Sequence, residues 1–118
     1  MSSEDGPALD RATLEELSDE LGDDAVDRIL GEYLHEIPRY VSDLRAAVTR
    51  GDAAAAERAA HSLKGASLLV GGRQLGGACD RVERVASRGG MTGLETDVAD
   101  IERLSTATAA AVRKRLGR

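Results

Sequence analysis

The sequence predicts an all-α protein, an antiparallel up-down four-helix bundle with a short N-terminal capping helix. Three observations carry that expectation. Apolar residues recur at i, i+3, i+4 and i+7 through most of the 118-residue chain, which is the period of a helix with one buried face. The core must be built from aliphatic and alanine side chains, because the chain has no Phe or Trp and only two Tyr; small side chains favour closely packed helices. No stretch alternates β-branched with polar residues as a half-buried strand does. The length allows one modest core and not two.

Residues 1–8 are polar and contain Gly6 and Pro7, and they read as a flexible leader before a single helical domain over 9–118. A first short helix begins near Asp10, whose carboxylate can cap the free amides. It presents Leu14, Leu17 and Leu21, ends at Gly22, and is expected to act as a lid on one end of the bundle. A second begins at Asp23-Asp24, where carboxylates meet the positive helix end, and carries Val26, Ile29, Leu30, Tyr33, Leu34, Ile37, Val41, Leu44 and Val48 up to Gly51. Pro38 lies inside that pattern and costs about 3 kcal/mol in an ideal helix, yet the periodicity runs through it. The expectation is one kinked helix over 23–50, with two helices meeting at Pro38 as the alternative.

Asp52 can cap a third helix that ends near Val70, where Gly71-Gly72 gives the backbone freedom for a turn. A fourth runs from Arg73 to Ser87 with Leu75, Ala78, Cys79, Val82, Val85 and Ala86 on one face. Gly76 and Gly77 weaken it by about 1 kcal/mol each relative to alanine, which points to close approach of a neighbouring helix. After Arg88-Gly89-Gly90 a last helix shows Leu94, Val98, Ile101, Leu104, Thr108, Val112 and Leu116. Its end is rich in cations, Arg113, Lys114, Arg115 and Arg118, which complement the negative helix terminus.

Composition excludes several functions. Net charge is −5 with the basic residues dispersed, whereas nucleic-acid binding needs a basic stripe; a protein partner is expected instead. The single Cys79 falls on an apolar helix face and reads as a buried, reduced thiol. The N-terminus has no basic n-region, and no apolar run approaches the ~18 residues of a membrane span, so the expectation is a soluble cytoplasmic protein. Glu32 and His35 form one Glu-x-x-His pair of the kind used by di-iron bundles. The second pair is missing, because Arg58 stands three residues before His61, so neither metal nor cofactor is expected. Nucleophile-elbow and P-loop motifs are absent.

The chemistry concentrates in Ala60-His61-Ser62-Leu63-Lys64-Gly65-Ala66-Ser67. On a helix, Ala56, Ala59, Leu63, Ala66 and Val70 share one narrow apolar sector, and His61 points the other way. Lys64, Gly65 and Leu68 come round at i+3, i+4 and i+7, beside the histidine on the exposed face. If the third and fourth helices turn at Gly71-Gly72, His61 and Glu83 both lie roughly 15 Å from the turn at 1.5 Å per residue. Glu83 can then accept a proton from one ring nitrogen, fixing the tautomer and leaving the other nitrogen free as a nucleophile. The alternative for Glu83 is a surface ion pair with Arg81 or Arg84.

His61-Ser62-Leu63-Lys64-Gly65, preceded by Ala60 and followed by Gly71 and Leu75, resembles the histidine phosphotransfer (HPt) domain of multistep phosphorelays. Upstream, Leu21-Gly22-Asp23-Asp24, then Tyr33-Leu34 before Pro38, then Gly51-Asp52 agree with it, so the resemblance spans about Leu14 to Leu116. It implies a freestanding relay protein, without enzymatic machinery of its own, in which His61 takes a phosphoryl group from a receiver-domain aspartate and passes it to another. Lys64 would offset phosphoryl charge, Gly65 would leave room for the receiver, and Glu83 would orient the histidine. Ala54, Glu57, Arg58 and Leu68 surround His61 on the helical wheel and are candidate partner contacts. The implied partners are response-regulator receiver domains, which would bring Mg²⁺, and a (hybrid) histidine kinase, with the chain acting as a monomer. Tyr33 in place of the common Phe, Gly72 in place of an apolar residue, and the Gly76-Gly77 pair depart from the family pattern. The competing readings are a docking module that carries no phosphate and a chemotaxis-kinase-like phosphoacceptor module.

Overall fold

A computed structural model of the protein describes residues 7–118. The expected leader falls largely on residues outside that range. Five helices follow in order: α1 Arg11–Leu21, α2 Asp23–Thr49, α3 Ala53–Leu69, α4 Arg73–Ser87 and α5 Leu94–Arg115; the described residues contain no strand. α2 packs on α3, α3 on α4, α4 on α5 and α5 back on α2, while α1 packs on α2. Short connections make neighbours antiparallel, so α2 to α5 form the up-down bundle and α1 covers one end.

The helix starts are chemically specified. Asp10 accepts from the Thr13 amide at 3.2 Å and from its hydroxyl at 2.6 Å, and Asp52 accepts from the Ala55 amide at 3.0 Å, both as side-chain N-caps. The Asp10 amide also donates to the Gly71 carbonyl at 2.8 Å, and Arg73 pairs with the Asp10 carboxylate at 3.1 Å. The start of α1 is thereby fixed to the α3–α4 turn. Gly71 is required there, because its φ is +83° and a Cβ would stand 2.9 Å from the Asp10 carbonyl oxygen. Of the three α1 leucines expected to pack, Leu14 is buried and Leu17 half-buried, whereas Leu21 at the far end is exposed. The lid is held mainly at its beginning.

α2 is a single 27-residue helix with Pro38 inside it, so the two-helix alternative is excluded. Pro38 is exposed and has no amide to donate to the Leu34 carbonyl. Val26, Leu30, Tyr33, Ile37, Leu44, Ala47 and Val48 form the buried face. Near the other end, Arg45 clasps α5 through Glu95 at 2.6 Å and Glu102 at 2.5 Å.

The α3–α4 pair makes the most extensive contact in the bundle, and it positions the site. Ala56, Ala59, Ala60, Leu63 and Ser67 are buried on α3, and Leu75, Gly76, Ala78, Cys79, Val82 and Ala86 on α4. A Cβ on Gly76 would lie 2.6 Å from the tip of Leu68, so a bare backbone here lets the leucine lie across α4. Gly77 contradicts the expectation made for it. It is exposed with nothing within 4 Å of its Cβ position, hence no helix approaches it. The buried Tyr33 hydroxyl hydrogen-bonds Ser67 Oγ at 2.8 Å, and a Cβ on Gly72 would stand 3.3 Å from that hydroxyl. The two departures at 33 and 72 are thus one packing solution: the phenol needs a partner and space, and Ser67 and Gly72 supply them. Cys79 is a fully buried free thiol, pushed up to about 12 by its burial. None of the helices is long and apolar enough to cross a membrane, among the described residues.

Candidate functional site

His61 stands in the middle of α3, outside the apolar sector, and its side chain is 68% exposed. Its Nδ1 lies 2.8 Å from Glu83 Oε2 across the α3–α4 groove. The equal-height argument from the turn is met, and of the two alternative partners for Glu83, Arg84 pairs instead with Asp80 at 2.5 Å. With a carboxylate as acceptor, Nδ1 carries the proton and donates it, so the lone pair resides on Nε2. No hydrogen bond reaches Nε2 from any described residue.

Glu83 is held from both sides. Its side chain is only 19% exposed, and Oε1 lies 2.5 Å from Lys64 Nζ. Oε1 itself is buried, with that ammonium as its ion-pair partner. Lys64 also reaches Asp80 at 3.4 Å. A ladder of alternating charge therefore runs from Glu83, which bonds the imidazole, through Lys64 and Asp80 to Arg84. The Lys64 ammonium, and after it the His61 bond, holds the Glu83 carboxyl below its usual range; Glu83 in turn raises Lys64. Arg84 keeps Asp80 low. Glu83, Lys64 and Asp80 therefore stay charged near neutral pH, and Glu83 keeps its acceptor role.

The site residues expected from sequence are not all placed alike. Lys64 shares Glu83 with the imidazole and is engaged with two carboxylates, Glu83 and Asp80. Gly65, one turn beyond His61, is open, with nothing within 4 Å of its Cβ position. Glu57 and Arg58 border a shallow depression of about 420 Å³ together with His61, Ser62 and Glu83. Leu68 is exposed, two turns along the same face. Ala54 is exposed but outside the depression, two turns before the histidine. Two residues escaped the sequence reading: Ser62 in the depression and Asp80 beneath Lys64. Asp80 was within reach of the reasoning that found Glu83, since it lies one turn nearer the turn and Lys64 is likewise three residues nearer than His61. On α2, Glu32 and His35 line a separate surface cleft with Arg28, Gly31, Glu36 and Arg118.

An exposed imidazole whose inner nitrogen is tied to a carboxylate is a nucleophile with one nitrogen available. Comparison with known proteins agrees with that chemistry. The family model described as the Hpt domain matches residues 28–114, which includes all the residues of the ladder. The crystal structure of histidine-containing phosphotransfer protein B from Pseudomonas aeruginosa PAO1 superposes with a TM-score of 0.89 at 27% identity, over 96% of this chain and 97% of that one. The HPT domain of a sensor hybrid histidine kinase from Shewanella has a TM-score of 0.82 at 21% identity, over 93% and 94% of the two chains; at that identity the likeness is one of fold. Comparison with curated proteins finds no match. The match of the family model over most of the bundle, with His61 on its exposed helix face, makes this chain a member of the Hpt domain family of histidine phosphotransfer proteins.

Proposed function

We propose that His61 is the phosphoacceptor of a phosphorelay and that Nε2 is the atom phosphorylated. The lone pair of Nε2 attacks the phosphorus of a receiver-domain aspartyl phosphate; the N–P bond forms as the P–O bond to the aspartate breaks, and the carboxylate leaves. Transfer to a second receiver is the reverse of that step. As the N–P bond forms, the ring gains positive charge, and Glu83 stabilises it through the Nδ1–H bond. The observation that carries this reading is the 2.8 Å contact between His61 Nδ1 and Glu83 Oε2.

This chain supplies the nucleophile, its orientation and one movable cation, Lys64. In-line phosphoryl transfer depends on positioning and charge neutralisation, and Mg²⁺ with its acidic ligands would come from the receiver. The protein is therefore a carrier and not an enzyme in its own right. Gly65 leaves the receiver room to approach, and Glu57, Arg58 and Leu68 meet its surface, with Ala54 at the margin. The working unit of this proposal is a monomer in the cytoplasm with its receivers and a histidine kinase.

The test is incubation with phosphorylated receivers and Mg²⁺. The wild type should acquire an acid-labile, base-stable phosphate, and His61→Gln should acquire none. Unchanged labelling of His61→Gln overturns the assignment. Tight receiver binding without any label would assign the same face to a docking module.

A further inference from the structure

Beside the histidine depression runs a second groove, between α2 and α3, with a volume of about 380 Å³. Alanine side chains from both helices floor it, and Arg39, Arg50 and Arg58 stand around it with Asp43 as the one carboxylate in its lining. Resting on the relay reading above, we propose that this groove receives an acidic segment of the partner that docks at His61, and so decides which receivers the protein serves.

The charges here are only loosely engaged. The chain as a whole carries −5, yet three guanidinium groups gather at this groove. Arg39 and Arg50 have only loose, exposed partners, Glu36 at 3.6 Å and Asp52 at 3.5 Å, and such contacts hold a guanidinium weakly. Arg58 makes no hydrogen bond or close ion pair with another described residue and acts on Asp52 only at longer range. It also lines the depression around His61, as does Ser62, so the two surfaces are continuous. By contrast Lys64 and Arg84, on the other side of the histidine, are already matched by Glu83 and Asp80. A partner approaching His61 therefore meets a tightly paired surface over α4 and, over α2, guanidinium groups that are only loosely paired. The alanine floor leaves the depth needed by a helix edge or a loop. A nucleic acid fits less well, because the patch is short and the rest of the molecule repels phosphate.

Arg39→Glu/Arg50→Glu tests this, since both side chains are exposed and lie off the phosphoryl site; a thermal melt checks the fold. Transfer from each of a panel of phosphorylated receivers is timed over receiver concentration, at about 50 mM and about 300 mM salt. For the receiver that serves the wild type best, the variant should need about tenfold more receiver to reach half its maximal rate, with the maximal rate nearly unchanged. The wild-type rate at low receiver concentration should fall severalfold with salt, and the variant should lose that dependence. A variant with wild-type rates and salt response overturns the groove while leaving His61 as phosphoacceptor. A wild type that no receiver labels overturns the relay reading, and the groove assignment with it. Loss of binding to a single-stranded oligonucleotide with receiver transfer unaltered would give the groove to a nucleic acid and also overturn the proposal.

Discussion

Gly65 sits inside the 17-residue α3, one turn from its C-terminal end, where glycine costs up to about 1 kcal/mol relative to alanine. Nothing lies within 4 Å of its Cβ position, and its φ is not positive, so alanine enters with neither clash nor strain. Gly65→Ala should then stabilise the protein by about 0.8–1 kcal/mol, raising Tm by roughly 3–6 °C for a chain of this size. Gly65→Gln should gain somewhat less, yet its side chain would rise one turn from His61, where a receiver must seat. Transfer from a phosphorylated receiver should slow by about tenfold or more, since even one obstructing side chain opposes close docking. Gly77→Ala is the control, because that glycine is equally open but lies on α4 away from the imidazole; it should stabilise by a similar amount with transfer nearly unchanged. Circular-dichroism melts and timed transfer read the two effects. A Gly65→Gln protein that is more stable and transfers at the wild-type rate would refute the argument that the glycine is kept for access.

Pro38→Ala restores an amide donor for the Leu34 carbonyl. The gain of about 3 kcal/mol is offset by about 1 kcal/mol of added freedom in the unfolded chain, so denaturant titration should show stabilisation of about 2 kcal/mol, and destabilisation would count against a continuous α2. Glu83→Ala should shift the neutral His61 ring away from the Nδ1–H tautomer in ¹⁵N NMR. A bond to a charged acceptor is worth about 1.5–3 kcal/mol; the low end applies to so exposed a ring, or about tenfold in the tautomer ratio. Glu83→Gln, which keeps an acceptor, should shift it less. Burial pushes Tyr33 and Cys79 each up to about 12, so both stay protonated in the fold while the unfolded chain ionises from about pH 9 upward. Stability should accordingly fall as pH rises from about 9 towards 12. Cys79 should resist iodoacetamide at neutral pH until denaturant is added; rapid alkylation of the native protein would contradict its burial.

Much of the architecture was legible because helix periodicity and capping are local. Asp10 and Asp52 cap where their spacing from the apolar runs put them, and the buried face of α4 matches its i, i+3, i+4 series. Glu83 could be paired with His61 because a tight antiparallel hairpin converts sequence distance from a turn into height. Gly76 and Gly77 show the limit of such reading. Both weaken the helix equally, but only the position facing α3 receives Leu68, and one residue of helical rotation decides which. Ser67 is illegible for a related reason: a buried serine is explained only by the tyrosine hydroxyl on α2 that it meets. The state of Lys64 is also a tertiary matter. Its spacing from His61 places it near the phosphoryl site, but its engagement with Glu83 and Asp80 depends on how α4 lies against α3.

The central claim is that Glu83 commits one ring nitrogen of His61 and so leaves the other for phosphate. Paired ¹⁵N and ³¹P NMR of the protein phosphorylated by a receiver tests it most directly. The account predicts phosphorus coupled to Nε2, with Nδ1 still protonated and bonded to Glu83. Phosphate on Nδ1, or on any residue other than His61, would contradict it.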